Sequence, residues 1–162
     1  MFTWADPDVG RFMGTYGPRS AAETAAWLDE AMRHNRAQPR FAHNTAIIVA
    51  GTGECAGWMG CGKSSEPVGE YDFGYALRPA CRGHGYAREA LTALLAFCLH
   101  DLAVSSVWGE CDVLNHRSAA VMHAARMMPY RGLPARRPAL SRGSFLAPAP
   151  GAALTGPGRL AG

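Results

Sequence analysis

The sequence predicts a mixed α/β domain, and three stretches carry that prediction. Asp72 to Leu102 reads as strand, glycine loop and helix. Thr45 to Cys61 reads as two strands joined by the turn Gly51-Thr52-Gly53-Glu54. Val107 to Val113 reads as a further strand followed by a short helix. Strands alternating with helices favour a sheet with at least one parallel pair.

The chain is 162 residues long, enough for one core and most simply one domain. Apolar residues make up 48%, yet no uninterrupted run is long enough to cross a membrane. Met1 to Asp8 lacks a basic segment followed by an apolar one, so no signal peptide is expected. The five cysteines (55, 61, 81, 98 and 111) are odd in number and form no C-x-x-C pair, which argues against a disulfide framework and a zinc site. A cytoplasmic protein without bound metal or membrane contact is expected. Residues 1–112 hold all 13 acidic and nine basic residues, 9 − 13 = −4; residues 113–162 hold seven arginines and no acid, +7. Those arginines are scattered without interleaved aromatics, which argues against nucleic acid as a partner.

Taken in order, Met1 to Tyr16 is weakly patterned and shows no clear strand. Ser20-x-x-Glu23 is a capping box, and a helix follows to about Asn35 with Trp27, Leu28, Ala31 and Met32 inward. Thr45 to Ala50 is β-rich, Gly51 to Glu54 turns the chain, and Cys55 to Cys61 returns. Lys63 to Gly69 is a polar loop. Asp72 to Leu77 is the central strand, which Pro79 stops because proline cannot donate to a ladder. Arg82-Gly83-His84-Gly85-Tyr86-Ala87 opens the next helix, whose apolar stripe is Leu91, Leu94, Leu95, Cys98, Leu99 and Leu102. The strand after it, ending near Asn115, should lie parallel beside Glu70–Leu77. Ser118 to Arg126 reads as a helix with Val121 and Ala125 inward.

The loop at Arg82 suits an anion. A helix start leaves backbone N–H groups unpaired, and the macrodipole adds positive potential there. Gly83 and Gly85 let the backbone curl and approach a ligand closely, and Arg82 adds a full charge. A pyrophosphate fits such a site. The loop is neither G-x-G-x-x-G, since Arg88 stands at the third glycine position, nor a Walker loop. A lone G-x-G can also serve turn geometry alone.

The spacing Arg82-x-x-Gly85-x-Ala87 resembles the Arg/Gln-x-x-Gly-x-Gly/Ala signature of the GNAT superfamily of N-acetyltransferases. The run G-Y-A-L-R-P-A-C-R-G-H-G-Y-A-R-E-A-L is similar to the subgroup that includes the ribosomal-protein N-terminal acetyltransferases. So are T-G-E-C-A-G-W-M-G at Thr52 to Gly60 and N-H-R-S-A-A-V-M at Asn115 to Met122. The resemblance covers about Asp6 to Gly132. It implies the GNAT acyl-CoA N-acyltransferase fold, acetyl-CoA as acetyl donor, and a primary amine of a peptide N-terminus or small molecule as acceptor, in a monomer or homodimer.

By that resemblance Arg82, Gly83, His84, Gly85, Tyr86 and Ala87 hold the pyrophosphate. Backbone groups at Tyr75, Ala76 and Leu77 pair with pantetheine, and a backbone N–H there polarises the thioester carbonyl. Asn115, with Ser118 in the same segment, contacts pantetheine or orders a water; Asn115 equally suits a helix N-cap. Asp72 stands where the subgroup commonly has Glu, and alternation places Glu70, Asp72 and Gly74 on one face, so Asp72 and then Glu70 are the candidate bases. Either can instead be a solvated strand acid. No general acid is identified: many members place a tyrosine where this chain has Met122.

The family's glycine after the last helix is replaced by Arg126, and the closing β-hairpin is expected to be missing. Residues 1–132 form the catalytic domain in this reading. Residues 133–162, rich in Pro, Gly, Ala and Arg without Val, Ile or Tyr, form a poorly ordered tail. The other outcome for the tail is an extension docked as a loop over the sheet edge through Phe145 and Leu146. These departures keep open a second reading, a non-catalytic acyl-CoA-binding module or degenerate gene product; a third is a nucleotide-phosphate binder using the same loop.

Overall fold

The computed structural model describes residues 12, 20–65, 70–130 and 142–151. Its elements in chain order are α1 (Ala21–Arg36), β1 (Ala42–Ile48), β2 (Cys55–Lys63), β3 (Tyr71–Leu77), α2 (Tyr86–Ala96), β4 (Ser106–Asp112), α3 (His116–Ala124), β5 (Met128–Tyr130) and β6 (Arg142–Pro148). The strands hydrogen-bond in the order β1-β2-β3-β4-β6-β5, a mixed sheet as the α/β prediction requires. Among the described residues, no helix is long and apolar enough to cross a membrane. The chain forms two compact units, one built from residues up to Gly62 with Gly74–Ala87, the other from Lys63–Phe73 with residues from Arg88 onward.

In the first unit, Ser20 caps α1: its Oγ accepts the Glu23 N–H at 3.1 Å. The buried stripe is narrower than the periodicity suggests. Ala31 is buried and Trp27 half-buried, but Leu28 and Met32 are exposed, so the expectation of four inward residues is corrected. Trp27 meets Trp58 of β2, ring centroids 5.0 Å apart. Asn35 ties the helix to β1: its Nδ2 donates to the Asn44 carbonyl at 2.7 Å, and the Asn44 N–H donates to Asn35 Oδ1 at 2.8 Å. One side-chain amide thus stands in for a neighbouring strand on β1.

Strands β1 and β2 pair antiparallel from Ala42↔Gly62 to Ile47↔Gly57, with a register irregularity before Ile48↔Cys55. The predicted turn is present. Gly53 has φ +70°, and both the Gly53 and Thr52 N–H groups donate to the Val49 carbonyl. Positive φ is the conformation that glycine adopts without steric cost.

In the second unit, the start of β3 runs parallel to β4, with Tyr71 opposite Val107 and Asp72 opposite Trp108, as expected. Leu91, Leu94, Leu95 and Cys98 of the predicted stripe are buried. The helix widens at its exit into a π turn over Phe97–Asp101, with the Leu102 N–H on the Phe97 carbonyl. Val107, Trp108, Gly109 and Cys111 of β4 are buried, the near-continuous run of a strand covered on both faces. Gly109 is needed there because the Phe73 ring lies across it, with Cδ1 3.1 Å from the position a Cβ would take.

Helix α3 turns a different face inward from the one expected. Met122 is 1% exposed, whereas Val121 and Ala125 are only partly covered. The helix begins two residues earlier than predicted, capped by Asn115. It ends in a Schellman arrangement, with the Met127 N–H on the Met122 carbonyl at 3.0 Å and Arg126 at φ +61°.

The expected loss of the closing hairpin is corrected. Strands β5 and β6 are antiparallel, from Met128↔Leu146 to Tyr130↔Ser144. Strand β6 also pairs with β4 along seven positions, from Ser106↔Pro148 to Asp112↔Arg142. Phe145, Leu146 and Ala147 are buried. The composition of this segment argued against a strand, but strand preference follows from fit to neighbours more than from the residue itself. The long edge of β4 supplies ladder partners on one side and β5 on the other. Phe145 and Leu146 do dock, as a paired strand rather than as a loop. The missing first strand expected within residues 1–16, and the tail at 133–141 and 152–162, lie outside the described residues.

Candidate active site

The candidate anion loop is built by three local constraints. Leu77 ends β3 because Pro79 cannot continue the ladder, and Pro79–Cys81 forms one 3₁₀ turn. In that turn the Cys81 N–H donates to the Arg78 carbonyl at 2.9 Å, and the Arg82 N–H to the Pro79 carbonyl at 3.2 Å. Gly83 and Gly85 then adopt φ +81° and +84° and reverse the chain into α2. A Cβ at either glycine would meet no atom within 4 Å, so the glycines are required by backbone conformation and leave open space around the loop. The N–H groups of Tyr86, Ala87 and Arg88 precede the first intrahelical bond and have no acceptor in their own helix. Arg82 is half-buried, while Gly83, His84 and Gly85 are exposed. The His84 ring stacks on Tyr86, centroids 5.5 Å apart.

The close of β3 is held by the turn that starts β2. The Arg78 N–H donates to the Ala56 carbonyl at 2.9 Å. Its guanidinium pairs with the Glu54 carboxylate and donates to the Cys55 carbonyl at 3.2 Å. In the sequence, Glu54 and Arg78 fall in two separate matched runs, T-G-E-C-A-G-W-M-G and G-Y-A-L-R-P-A-C-R-G-H-G-Y-A-R-E-A-L, with no connection between them. Opposite charges at Glu54 and Arg78 were the available signal. Nothing in their spacing says that 24 residues of separation close to a contact.

Of the predicted residues, Tyr75, Ala76, Leu77 and Arg82 through Ala87 lie in the first unit, and the chain passes straight from the end of β3 into the loop. Glu70, Asp72, Asn115 and Ser118 lie in the second. Asn115 is the α3 N-cap: its Oδ1 accepts the Ser118 N–H at 3.1 Å. The Ser118 side chain hydrogen-bonds Cys111, whose thiol is pushed up from its ordinary value by burial and then by the charge of Asp112; the serine bond opposes that rise. Glu70 is engaged in an anchor. Its Oε2 accepts from the Ser105 N–H at 2.8 Å and the Ser105 hydroxyl at 3.2 Å, while its own N–H donates to Ser106 Oγ at 3.3 Å. Asp72 is half-buried on β3. Met122, where many superfamily members have tyrosine, is buried and brings no hydroxyl. Among the described residues, no group of three or more His, Cys, Asp or Glu could hold a metal ion.

Comparison with known proteins bears on the fold. No curated protein matches the chain. Among solved structures, a GNAT-family acetyltransferase from Bacillus anthracis superposes with a TM-score of 0.72 at 20% identity, over 89% of this chain and 83% of that one. Spermidine N-acetyltransferase from Vibrio cholerae, in complex with CoA and spermine, gives 0.69 at 10% identity, over 90% and 85%. RimL, a ribosomal L7/L12 alpha-N-protein acetyltransferase in complex with CoA, gives 0.66 at 20% identity, over 80% and 73%. The family model described as acetyltransferase (GNAT) domain matches residues 1–128, and the chain belongs to the GNAT acetyltransferase family.

Proposed function

We propose that the protein transfers an acetyl group from acetyl-CoA to a primary amine, on a peptide N-terminus or a small molecule. The carrying observation is the loop Arg82 to Ala87: two left-handed glycines with open space beside them, followed by helix-start amides that have no acceptor in their own helix. These residues fit a pyrophosphate. Arg82 and the loop amides would hold it, and backbone groups at Tyr75, Ala76 and Leu77 would line the pantetheine arm. An N–H in that strand would polarise the thioester carbonyl. The CoA present in two of the similar structures supports the same reading.

The remaining roles divide by what each side chain already does. Asn115 uses Oδ1 for its cap, and its Nδ2 has no hydrogen-bond partner among the described residues, so it can donate to pantetheine or a water while Ser118 keeps the cap in place. Glu70 spends its carboxylate on Ser105, which suits it to anchoring the start of β4. Asp72, standing where the subgroup commonly has Glu, is the base of this reading, drawing the ammonium proton directly or through water. The buried Met122 favours a second reading, an acyl-CoA-binding module without turnover.

Calorimetry with acetyl-CoA tests the proposal, with Arg82→Glu alongside. Micromolar binding that the variant abolishes supports it; equal binding by the variant removes the pyrophosphate assignment. Thiol release across a panel of amines then separates transferase from binding module. ADP or NAD binding as tightly as acetyl-CoA would point to a general nucleotide-phosphate binder.

A further inference from the structure

We infer that Arg78 is a positioning residue, holding the anion loop in register on the Glu54–Ala56 turn. This rests on the loop reading above and adds residues which that reading leaves without a role.

Three consecutive residues of the turn receive Arg78. Glu54 takes the guanidinium, the Cys55 carbonyl accepts from the same Nη1, and the Ala56 carbonyl accepts the backbone N–H. The next residue, Gly57, lets the β3 backbone press directly on β2: a Cβ there would overlap the Ala76 carbonyl oxygen and stand 3.0 Å from Leu77 Cα. On its other side, the Arg78 carbonyl accepts the Cys81 N–H at 2.9 Å and so starts the 3₁₀ turn that delivers Arg82. Cys81 is itself buried at 5% exposure, which fixes the far end of that turn. One residue thus joins the β1–β2 turn to the entry of the loop through side chain, N–H and carbonyl.

The magnitudes separate this role from plain stability. The side chains of Arg78 and Glu54 are 34% and 49% exposed, and ion pairs so placed contribute little to folding stability. Loop geometry is more sensitive, because a displacement of about 1 Å in a group that grips a substrate can cost two orders of magnitude in rate. Arg78 also adds a positive charge near the loop, but a charge alone would act without the Glu54 partner. The two explanations differ in how Glu54→Gln behaves.

The test compares Arg78→Met, Glu54→Gln and the double variant. Amide hydrogen exchange is measured on the ligand-free protein, and acetyl-CoA affinity by calorimetry. Arg78→Met should speed exchange at Cys81 and Arg82 about tenfold and weaken acetyl-CoA about tenfold, with Thr45 and Met59 amides unchanged. Glu54→Gln should act in the same direction, and the double variant should be no worse than Arg78→Met. Unchanged exchange at Cys81 and Arg82 overturns the inference. So does acceleration spread equally over β1 and β2, which would make Arg78 a general support. Weaker binding in Arg78→Met but not in Glu54→Gln would reduce it to a charge effect and also overturn it. If Arg78→Met fails to fold, the isosteric Glu54→Gln carries the test. If the variants show the exchange pattern but the wild-type protein binds no acetyl-CoA, the functional reading fails and the brace stands.

Discussion

Gly57 and Ala76 meet backbone to backbone, with no room for even one methyl group between them. The neighbour is a carbonyl inside a strand, so it cannot swing aside as a flexible side chain could. Gly57→Ala should therefore cost about 3 kcal/mol. Gly85→Ala offers the contrast. Its Cβ would meet nothing within 4 Å, and only the φ of +84° opposes it. That strain costs about 1–2 kcal/mol. Denaturant unfolding of the two variants checks the order; a Gly85 variant less stable than the Gly57 variant would contradict it.

Arg126 occupies φ +61° at the end of α3, where the family places glycine. A non-glycine residue in that conformation costs about 1 kcal/mol or more. Arg126→Gly should gain about 1 kcal/mol, a rise in Tm of about 2–4 °C for a chain of this size. Calorimetric melting decides it, and a fall in Tm would show that the Arg126 side chain contributes more than the strain costs.

Phe145 is 5% exposed on β6 and meets the His123 ring edge-on, centroids 4.9 Å apart. Phe145→Ala should remove about 3–5 kcal/mol, the usual loss for a buried phenylalanine. Unfolding midpoints measure this directly. An unordered segment would tolerate the change without cost, so an unaltered midpoint would revive the tail reading.

His43 is buried on β1, and its pKa is lowered from 6.5 by burial first and by the nearby charge of Arg40 second. Because the folded value is depressed, the unfolded chain takes up this proton first as pH falls. The stability contribution is present above pH 6.5 and is lost on acidification through the lower folded value. An NMR titration should place His43 below 6.5, and a midpoint at or above that value would refute the assignment.

Asp72→Asn keeps the shape of the side chain and removes the basic oxygen. As the proposed base, Asp72 should account for about 10²–10⁴ of the rate at constant acetyl-CoA affinity. Steady-state kinetics with calorimetry separates the two terms. Loss of affinity with kcat retained would instead assign Asp72 to holding the strand.

Local signals determined much of this protein before any contact was known. Ser20 before Glu23, the two glycines after Arg82 and the stripe from Leu91 to Cys98 each act within a few residues, so spacing alone reveals them. The tertiary structure decided what depends on a distant partner. Segment 142–148 is a strand because β4 and β5 offer it two ladders, not because its residues prefer one. Met122 faces inward, and Leu28 and Met32 do not, because the surfaces opposite them set the buried stripe. Arg78 finds Glu54 only once β2 and β3 lie side by side, since the 23 residues of intervening chain carry no trace of that pairing.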